Sequence, residues 1–125
     1  MNTIREILII DDDSKNIFAL SAVLKARKFH CVSAHSAAEG FRVMASNKNI
    51  AVVLMDMMMP EMDGYEAIRQ MKAQEDLKSI PVIAITAQAM TGDREKCLEA
   101  GAVAYISKPV NVNELIDQLK NLIHQ

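Results

Sequence analysis

The chain has 125 residues, half of them apolar, and carries a formal net charge of −2 at pH 7 with a sequence pI near 5.9. This length is typical of one domain with its own core, and the charge, with no run of Lys or Arg, argues against nucleic acid as a direct partner. No apolar stretch approaches the roughly 20 residues of a membrane span and the N-terminus has no signal-peptide pattern, so we expect a cytoplasmic protein without membrane insertion.

The two cysteines, Cys31 and Cys97, are far apart in the sequence. They form no CxxC pair, and no histidine lies at a metal-ligand spacing from either of them. We therefore predict that both are reduced packing residues. The fold should need neither a disulfide nor a metal to form.

The first element is an apolar run over 5–10 that predicts a strand and ends in three consecutive aspartates, 11–13. Residues 14–28 then carry apolar side chains at helical spacing, which predicts the first helix. A shorter and weaker strand is predicted over 29–34.

The second helix begins at a capping box, in which Ser36 and Glu39 satisfy free amides of the first turn, and it ends near residue 46. The next apolar run lies over 51–55. Because its five consecutive side chains are apolar, it predicts a strand that is buried on both faces. This strand ends at Asp56.

A loop follows this strand, and Asp63 together with Glu66 indicates the capped start of a third helix over 64–73. The fourth strand is predicted over 81–85 and ends at Thr86. Both elements therefore repeat the alternation of strand and helix that begins the chain.

Residues 88–100 are helical in pattern but include Gly92. A glycine inside a helix costs about 1 kcal/mol relative to alanine, so we expect this fourth helix to be the least stable. Gly101 stands where a helix C-cap favours a left-handed residue.

The fifth strand is predicted over 103–106 and leads to Lys108. Asn111 with Glu114 then caps a last helix, whose leucines lie on one face. The chain thus closes with a fifth strand and helix pair.

Five strands that alternate with five helices through short loops predict an α/β fold. The strands should form a doubly wound parallel sheet with right-handed crossovers, as a three-layer sandwich. No repeat, linker or low-complexity segment interrupts the chain. We therefore expect one domain over 1–125, with its core over about 5–123 and no effector domain.

The carboxyl ends of parallel strands meet at one edge of a sheet, and ligands bind there. Five polar residues lie at or just after the carboxyl ends of predicted strands: Asp11, Asp12, Asp56, Thr86 and Lys108. Three neighbouring carboxylates repel one another unless a cation lies between them. Oxygen ligands without His or Cys favour a hard ion, so we predict Mg²⁺ on Asp12 and Asp56, with Asp11 binding directly or through water.

Thr86 and Lys108 offer a hydroxyl and an ammonium, the groups that bind phosphoryl oxygens beside a metal ion. A carboxylate can itself be the nucleophile and form an aspartyl phosphate. Ala87 is small and would leave the approach to the site open. The residues therefore predict phosphoryl chemistry on a carboxylate.

Each of these features has a simpler interpretation when taken alone. A run of aspartates such as 11–13 is commonly a solvated helix N-cap. The methionines at 55 and 57–59 are more often core and loop residues than ligands of a soft metal. The position of every candidate residue directly after a strand favours the site.

At these positions the chain resembles the receiver domain of two-component response regulators over about 6–123. The resemblance is carried by Asp11 and Asp12 after the first strand, Asp56 followed by Met59, Pro60, Asp63 and Gly64, Thr86 and Ala87 after the fourth strand, and Lys108 and Pro109 after the fifth. It implies the flavodoxin-like strand order 2-1-3-4-5.

The resemblance implies that Asp56 accepts a phosphoryl group from a histidine kinase or a histidine phosphotransfer domain. It also implies that Mg²⁺ is held by Asp11, Asp12, Asp56 and the backbone carbonyl of Met58. Residues Met58 and Gln88 flank this site and are candidates for control of hydrolysis rate. Apart from its own phosphorylation and slow hydrolysis of the product, the protein would not be an enzyme.

The resemblance further implies a switch, in which Thr86 moves toward the phosphoryl group and Tyr105 turns inward behind it. The face of the fourth helix, fifth strand and fifth helix would then change its affinity for a downstream protein, with the chain as a monomer or weak dimer. An amphipathic ring at a surface edge is the other interpretation of Tyr105. Receivers often have a cis peptide at the position of Lys108 and Pro109.

Weaker sequence similarities outside these site residues resemble receivers of hybrid sensor kinases or receivers that act alone in phosphorelays. Two other functions remain open. A small Mg²⁺ phosphohydrolase of the haloacid dehalogenase type uses similar groups, although Ser14 and Lys15 break its usual pattern after the first strand. The other is a docking module that is never phosphorylated.

Overall fold

The computed structural model describes residues 5–59, 63–87 and 92–123. Five parallel strands form one sheet in the order β2-β1-β3-β4-β5, so the predicted flavodoxin-like α/β fold is confirmed. The elements in chain order are β1 Glu6–Ile10, α1 Ser14–Ala26, β2 His30–Ala34, α2 Ala37–Ser46, β3 Ile50–Asp56, α3 Gly64–Lys72, β4 Val82–Thr86, α4 Asp93–Ala100, β5 Ala104–Ser107 and α5 Val112–Leu122.

The sheet is buried on both faces, since successive side chains of a strand point to opposite sides. Leu8, Val53 and Ala84 pack in one core with the apolar residues of α2, α3 and α4. Ile7, Leu54 and Ile83 pack in the other core with α1 and α5. This arrangement is the predicted three-layer sandwich. In the described part of the chain, no helix combines the length and the apolarity needed to cross a membrane.

The ends of the strands are tied to their neighbours by main-chain hydrogen bonds. Asp11 N donates to Ala34 O at 3.1 Å, and Met57 N donates to Ile85 O at 2.9 Å. Lys108 N donates to the carbonyl of Thr86 at 2.7 Å. These bonds fix the first residue after β1, β3 and β5, which brings the loops at the carboxyl edge of the sheet into one place.

Side chains cap four of the helices, as the sequence predicts for three of them. Ser36 accepts from Glu39 N at 3.1 Å, and Glu39 accepts from the backbone of His35 at 2.7 Å, which completes the capping box one residue earlier than expected. The N-caps of the other three helices are Asp13, Asp63 and Asn111, each of which accepts a backbone N–H.

Two helix boundaries differ from the sequence predictions for the same physical reason. The predicted interior position of Gly92 is wrong, because Gly92 is the N-cap of α4 with φ 89°. A left-handed residue cannot continue a right-handed helix, so α4 begins at Asp93 and spans eight residues. The remaining predicted residues, 88–91, lie outside the described part of the chain. Likewise α1 ends at Ala26, before Lys28 with φ 72°.

The predicted cap at Gly101 is confirmed, since Gly101 is the C-cap of α4 with φ 125°. A side chain there would also meet Lys72, because an added Cβ would lie 2.8 Å from Lys72 Cγ. Of the two cysteines, Cys97 on α4 is buried and Cys31 on β2 is half-buried, and both are free thiols.

Candidate functional site

Three carboxylates meet at the carboxyl edge of the sheet. Asp11 and Asp12 follow β1, and Asp56 ends β3. Each of them has a carboxylate oxygen within 4.8 Å of the oxygens of the other two. Asp11 and Asp56 are 6% and 5% exposed, whereas Asp12 is exposed to solvent. The structure therefore brings together all three carboxylates that the sequence predicts as site residues.

Short backbone contacts orient two of these carboxylates. Asp11 Oδ1 accepts a hydrogen bond from Asp13 N, and Asp56 Oδ1 accepts one from Met58 N, both at 2.9 Å. The side chain of Asp13 instead accepts from Lys15 N at 2.9 Å and caps α1. The N-cap interpretation thus applies to Asp13, while the two aspartates before it belong to the acidic cluster.

The electrostatics of the cluster favour a bound cation. Burial raises the pKa of Asp11, and the negative charge of Asp56 raises it further. The backbone hydrogen bond from Asp13 and the charge of Lys108 act in the opposite direction. Grouped carboxylates without nitrogen or sulfur ligands form the donor set that Mg²⁺ prefers. The residues therefore fit a magnesium ion.

Lys108 supplies a positive charge beside the cluster. Its Nζ lies 3.7 Å from Asp56 Oδ1, and its side chain is 28% exposed. The peptide bond between Lys108 and Pro109 is cis, as the resemblance implied. A partly exposed ammonium beside a buried carboxylate can bind an anionic group that approaches Asp56 from solvent.

Thr86 ends β4 and is 2% exposed. Its hydroxyl lies 3.8 Å from Met58 Sδ, a contact that the sequence did not predict. Met58 itself is 43% exposed, whereas Met55, Met57 and Met59 are buried in the core, as expected. The carbonyl of Met58 as a metal ligand stays a prediction, and Gln88 lies outside the described residues.

A cleft opens next to the acidic cluster, with a volume of about 290 Å³. It lies between α1, the edge of the sheet and the chain that follows β5. Asp11, Asp56 and Lys108 form its polar part, and the remaining lining is mainly apolar: Ile9, Ile10, Asn16, Ala19, Leu20, Val23, Leu54, Ile85, Pro109, Val110 and Val112. The carboxylate of Asp56 thus adjoins a mainly apolar cleft at the protein surface.

Tyr105 lies on β5 and is half-buried against the core under α3 and α4. Burial raises its pKa, and the charge of Asp93 raises it further. Asp93 begins α4, is 7% exposed and accepts a hydrogen bond from the hydroxyl of Tyr65. Sequence analysis missed this carboxylate, because Asp93 reads as an ordinary solvated residue of a helical first turn.

Comparison with known proteins gives a consistent family. A model of the response regulator receiver domain family matches residues 7–120. The polar-differentiation response regulator DivK of Brucella ovis is 33% identical over 119 residues, which make up 95% of this chain and 96% of that protein.

Solved structures agree with this match. The receiver domain of sensor histidine kinase PA1611 from Pseudomonas aeruginosa, described with a magnesium ion coordinated in its active-site cleft, is 35% identical with a TM-score of 0.83. The comparison covers 94% of this chain and 96% of that one. A response regulator receiver protein from Pseudomonas putida shares the fold with a TM-score of 0.89 at 24% identity, over 97% of this chain and 99% of that one.

Proposed function

Because this chain belongs to the response regulator receiver domain family of two-component signalling, we propose that it is a phosphoacceptor switch in which Asp56 receives the phosphoryl group. One observation carries this proposal. Asp56 is 5% exposed and has Lys108 Nζ at 3.7 Å, in a cluster with two further carboxylates. A nucleophile, a cation for the phosphoryl oxygens and a metal-binding donor set thus occur together.

The proposed metal is Mg²⁺, held by Asp11, Asp12, Asp56 and the backbone carbonyl of Met58. The spacing of the three carboxylates supports this assignment, as does the magnesium ion described for the PA1611 receiver domain. When bound, Mg²⁺ neutralises charge on the carboxylates and on the transferring group.

The side chains of the site have separate roles in the proposed phosphoryl transfer. A carboxylate oxygen of Asp56 forms the new O–P bond while the P–N bond of the phosphohistidine donor breaks, and the donor imidazole leaves with the electron pair. The ammonium of Lys108 and the hydroxyl of Thr86 bind the phosphoryl oxygens. Ala87 is exposed next to Thr86 and leaves room for the donor to approach.

The proposed donor is a phosphohistidine of a histidine kinase or a histidine phosphotransfer domain. Such a donor must bring its phosphorus to Asp56, so it must cover the cleft beside α1. The donor would also contact Phe18 on α1, which is 76% exposed. We place this exchange in the cytoplasm, with the chain as a monomer or weak dimer and residues 1–125 as one receiver domain.

The proposed output is a change in the face of α4, β5 and α5, which binds a downstream protein. A new anion at Asp56 attracts the hydroxyl of Thr86, and Tyr105 then turns toward the space behind it. A receiver domain is a signalling module, and the proposed chemistry is limited to its own phosphorylation and slow hydrolysis.

Intact mass after incubation with acetyl phosphate tests this proposal. We expect a gain of one phosphoryl group that requires Mg²⁺ and is absent in Asp56→Asn. Asp13→Asn is the matched control, because Asp13 caps α1 outside the cluster and an asparagine cap is equally effective; it should be labelled like the wild type.

Two other results would overturn this proposal, and each would favour a different function. Label that survives in Asp56→Asn but is lost in Asp11→Asn would favour the phosphohydrolase, with its nucleophile after β1. A wild type that neither gains mass nor forms a beryllofluoride complex would favour the docking module that is never phosphorylated.

A further inference from the structure

The first turn of α3 packs directly against the backbone that follows Asp56. Gly64 begins α3, and a Cβ added to it would lie 2.9 Å from Met57 Cα. The next amide in the chain, Met58 N, donates to Asp56 Oδ1 at 2.9 Å. The position of the start of α3 therefore constrains the backbone that orients the Asp56 carboxylate and carries the proposed carbonyl ligand of Met58.

Tyr65, the second residue of α3, joins this first turn to α4. Its backbone N–H donates to the N-cap residue Asp63 at 3.0 Å. Its hydroxyl donates to Oδ1 of Asp93, the first residue of α4. Lys96 lies on the same helix, with Nζ 5.9 Å from the centre of the Tyr65 ring, which is within the range of a cation–π contact. The side chain of Tyr65 therefore links the turn beside the acidic cluster to the next helix.

The hydrogen bond between Tyr65 and Asp93 should be well maintained, because its acceptor is buried. Asp93 is 7% exposed, and its other oxygen, Oδ2, has no hydrogen-bond partner among the residues that the structure describes. A buried carboxylate that already lacks a partner on one oxygen is strongly disfavoured when the other oxygen loses its donor as well. The same bond raises the pKa of Tyr65 above its ordinary value, so the phenol keeps its proton at neutral pH.

We propose that Tyr65 is a positioning residue for the Asp56 site. Its hydrogen bond to Asp93 holds the first turn of α3, and with it the backbone after Asp56, in the arrangement that binds Mg²⁺ and the phosphoryl group. The proposal rests on the proposed function of Asp56. The helix α4 is a suitable anchor, since Cys97 and Ala100 pack in the core that it shares with α3. By linkage, a partner that displaces the start of α4 should weaken Mg²⁺ binding, and Mg²⁺ should oppose that displacement.

The Mg²⁺ affinity of folded variants tests this role. Tyr65→Phe and Asp93→Ala each remove the hydrogen bond, and each should bind Mg²⁺ about threefold to tenfold more weakly than the wild type. Labelling of Asp56 by acetyl phosphate at the same Mg²⁺ concentration should slow by a similar factor. The double variant should bind Mg²⁺ no more weakly than the weaker single variant, since both substitutions remove one interaction. Asp93→Asn keeps an oxygen acceptor and should recover most of the affinity that Asp93→Ala loses.

Lys72→Met is the matched control for a general loss of stability. Lys72 is the last residue of α3, at the opposite end of the helix from Tyr65, and its Nζ donates to Ile80 O at 2.8 Å. The substitution should lower the free energy of unfolding and leave the Mg²⁺ affinity unchanged. A purely structural contact between α3 and α4 predicts that Tyr65→Phe behaves in the same way. Unchanged or tighter Mg²⁺ binding in Tyr65→Phe, or equal weakening in Lys72→Met, would overturn the proposal.

A second measurement tests the hydrogen bond itself and depends on neither Mg²⁺ nor phosphorylation. The chain has two tyrosines, so in Tyr105→Phe the ultraviolet absorbance of the phenolate reports the ionisation of Tyr65. Adding Asp93→Ala should lower the pKa of Tyr65, because the hydrogen bond to Asp93 is the main cause that raises it. An unchanged midpoint would show that the bond does not hold Tyr65, and would overturn the proposal.

Failure of the proposed function would give a different result. A wild type that binds Mg²⁺ but takes up no phosphoryl group would contradict the proposed function, while weaker Mg²⁺ binding in Tyr65→Phe would still support the positioning role. A wild type that is labelled, together with variants that retain its Mg²⁺ affinity and its labelling rate, would contradict the role of Tyr65 alone.

Discussion

Lys108 Nζ lies 3.7 Å from Asp56 Oδ1, so an ammonium group stands beside the buried carboxylate of the acidic cluster. At this distance the attraction between unit charges is substantial, even at the effective dielectric constant of about 20 that suits sites near a protein surface. Lys108 therefore partly neutralises Asp56 in the region where a metal ion and a phosphoryl group would bind. Lys108 should therefore weaken the binding of the metal ion and assist the binding of the phosphoryl group.

Replacing Lys108 should separate these two effects. In Lys108→Gln, removal of a nearby positive charge should strengthen Mg²⁺ binding about threefold, while labelling by acetyl phosphate should slow at least about tenfold because a charge partner of the phosphoryl oxygens is lost. Isothermal titration and time-resolved intact mass measure the two quantities. Lys120→Gln, an exposed substitution on α5, serves as the control. Equal losses in both quantities would argue against this role.

Replacing Asp56 should make the protein without metal more stable. Asp56→Asn removes one charge from three grouped carboxylates, and we expect the free energy of unfolding to rise by about 1 kcal/mol. In the wild type, Mg²⁺ at about 100 times its Kd should add about 2.7 kcal/mol. This gain should be nearly absent in Asp56→Asn and retained in Asp13→Asn. Urea denaturation with and without Mg²⁺ provides the measurement.

Gly64 lies close to the backbone that follows Asp56. A Cβ at Gly64 would lie 2.9 Å from Met57 Cα and 2.8 Å from Met57 Sδ. Because the backbone must shift, Gly64→Ala should cost about 1–3 kcal/mol of stability and slow the labelling of Asp56. Gly92→Ala meets nothing within 4 Å but has φ 89°, so it should cost about 1 kcal/mol without altering labelling. If labelling of Asp56 were slower in Gly92→Ala but unchanged in Gly64→Ala, the proposed effect of Gly64 on the site would be contradicted.

Tyr65 should make stability dependent on pH in the alkaline range. Its hydrogen bond to Asp93 raises its pKa above the ordinary value of 10.0, so the folded state retains a proton that the unfolded chain releases. The stabilisation is complete below about pH 10 and is lost as pH rises toward the folded-state pKa. Since Tyr65 is half-exposed, the loss should be only about 0.5–1 kcal/mol between pH 9 and 11.

The matched variant for this prediction is Tyr65→Phe. At pH 7 it should be less stable than the wild type by about 1–2 kcal/mol, because Asp93 loses a hydrogen-bond donor. That difference should narrow above pH 10. Urea denaturation of both proteins across this range provides the comparison, and a constant difference would show that the phenol is not the group that titrates.

The sequence by itself determined the order of the elements and the sheet to which they belong. Apolar runs, helical spacing and capping residues are local signals, and the alternation of strands and helices leaves few topologies open. The candidate site followed from the same reasoning. In a parallel sheet all strands end at one edge, so Asp11, Asp56 and Lys108 had to lie near one another whatever the details of packing.

Only the tertiary structure decided the contacts that depend on how loops and helices pack. The left-handed backbone of Gly92 moved the start of α4, and the three aspartates after β1 divided into a helix cap and two cluster residues. The bond between Tyr65 and Asp93 joins residues 28 positions apart on two helices. No local pattern encodes such a contact, because it depends on the rotation and spacing of α3 and α4 on the sheet.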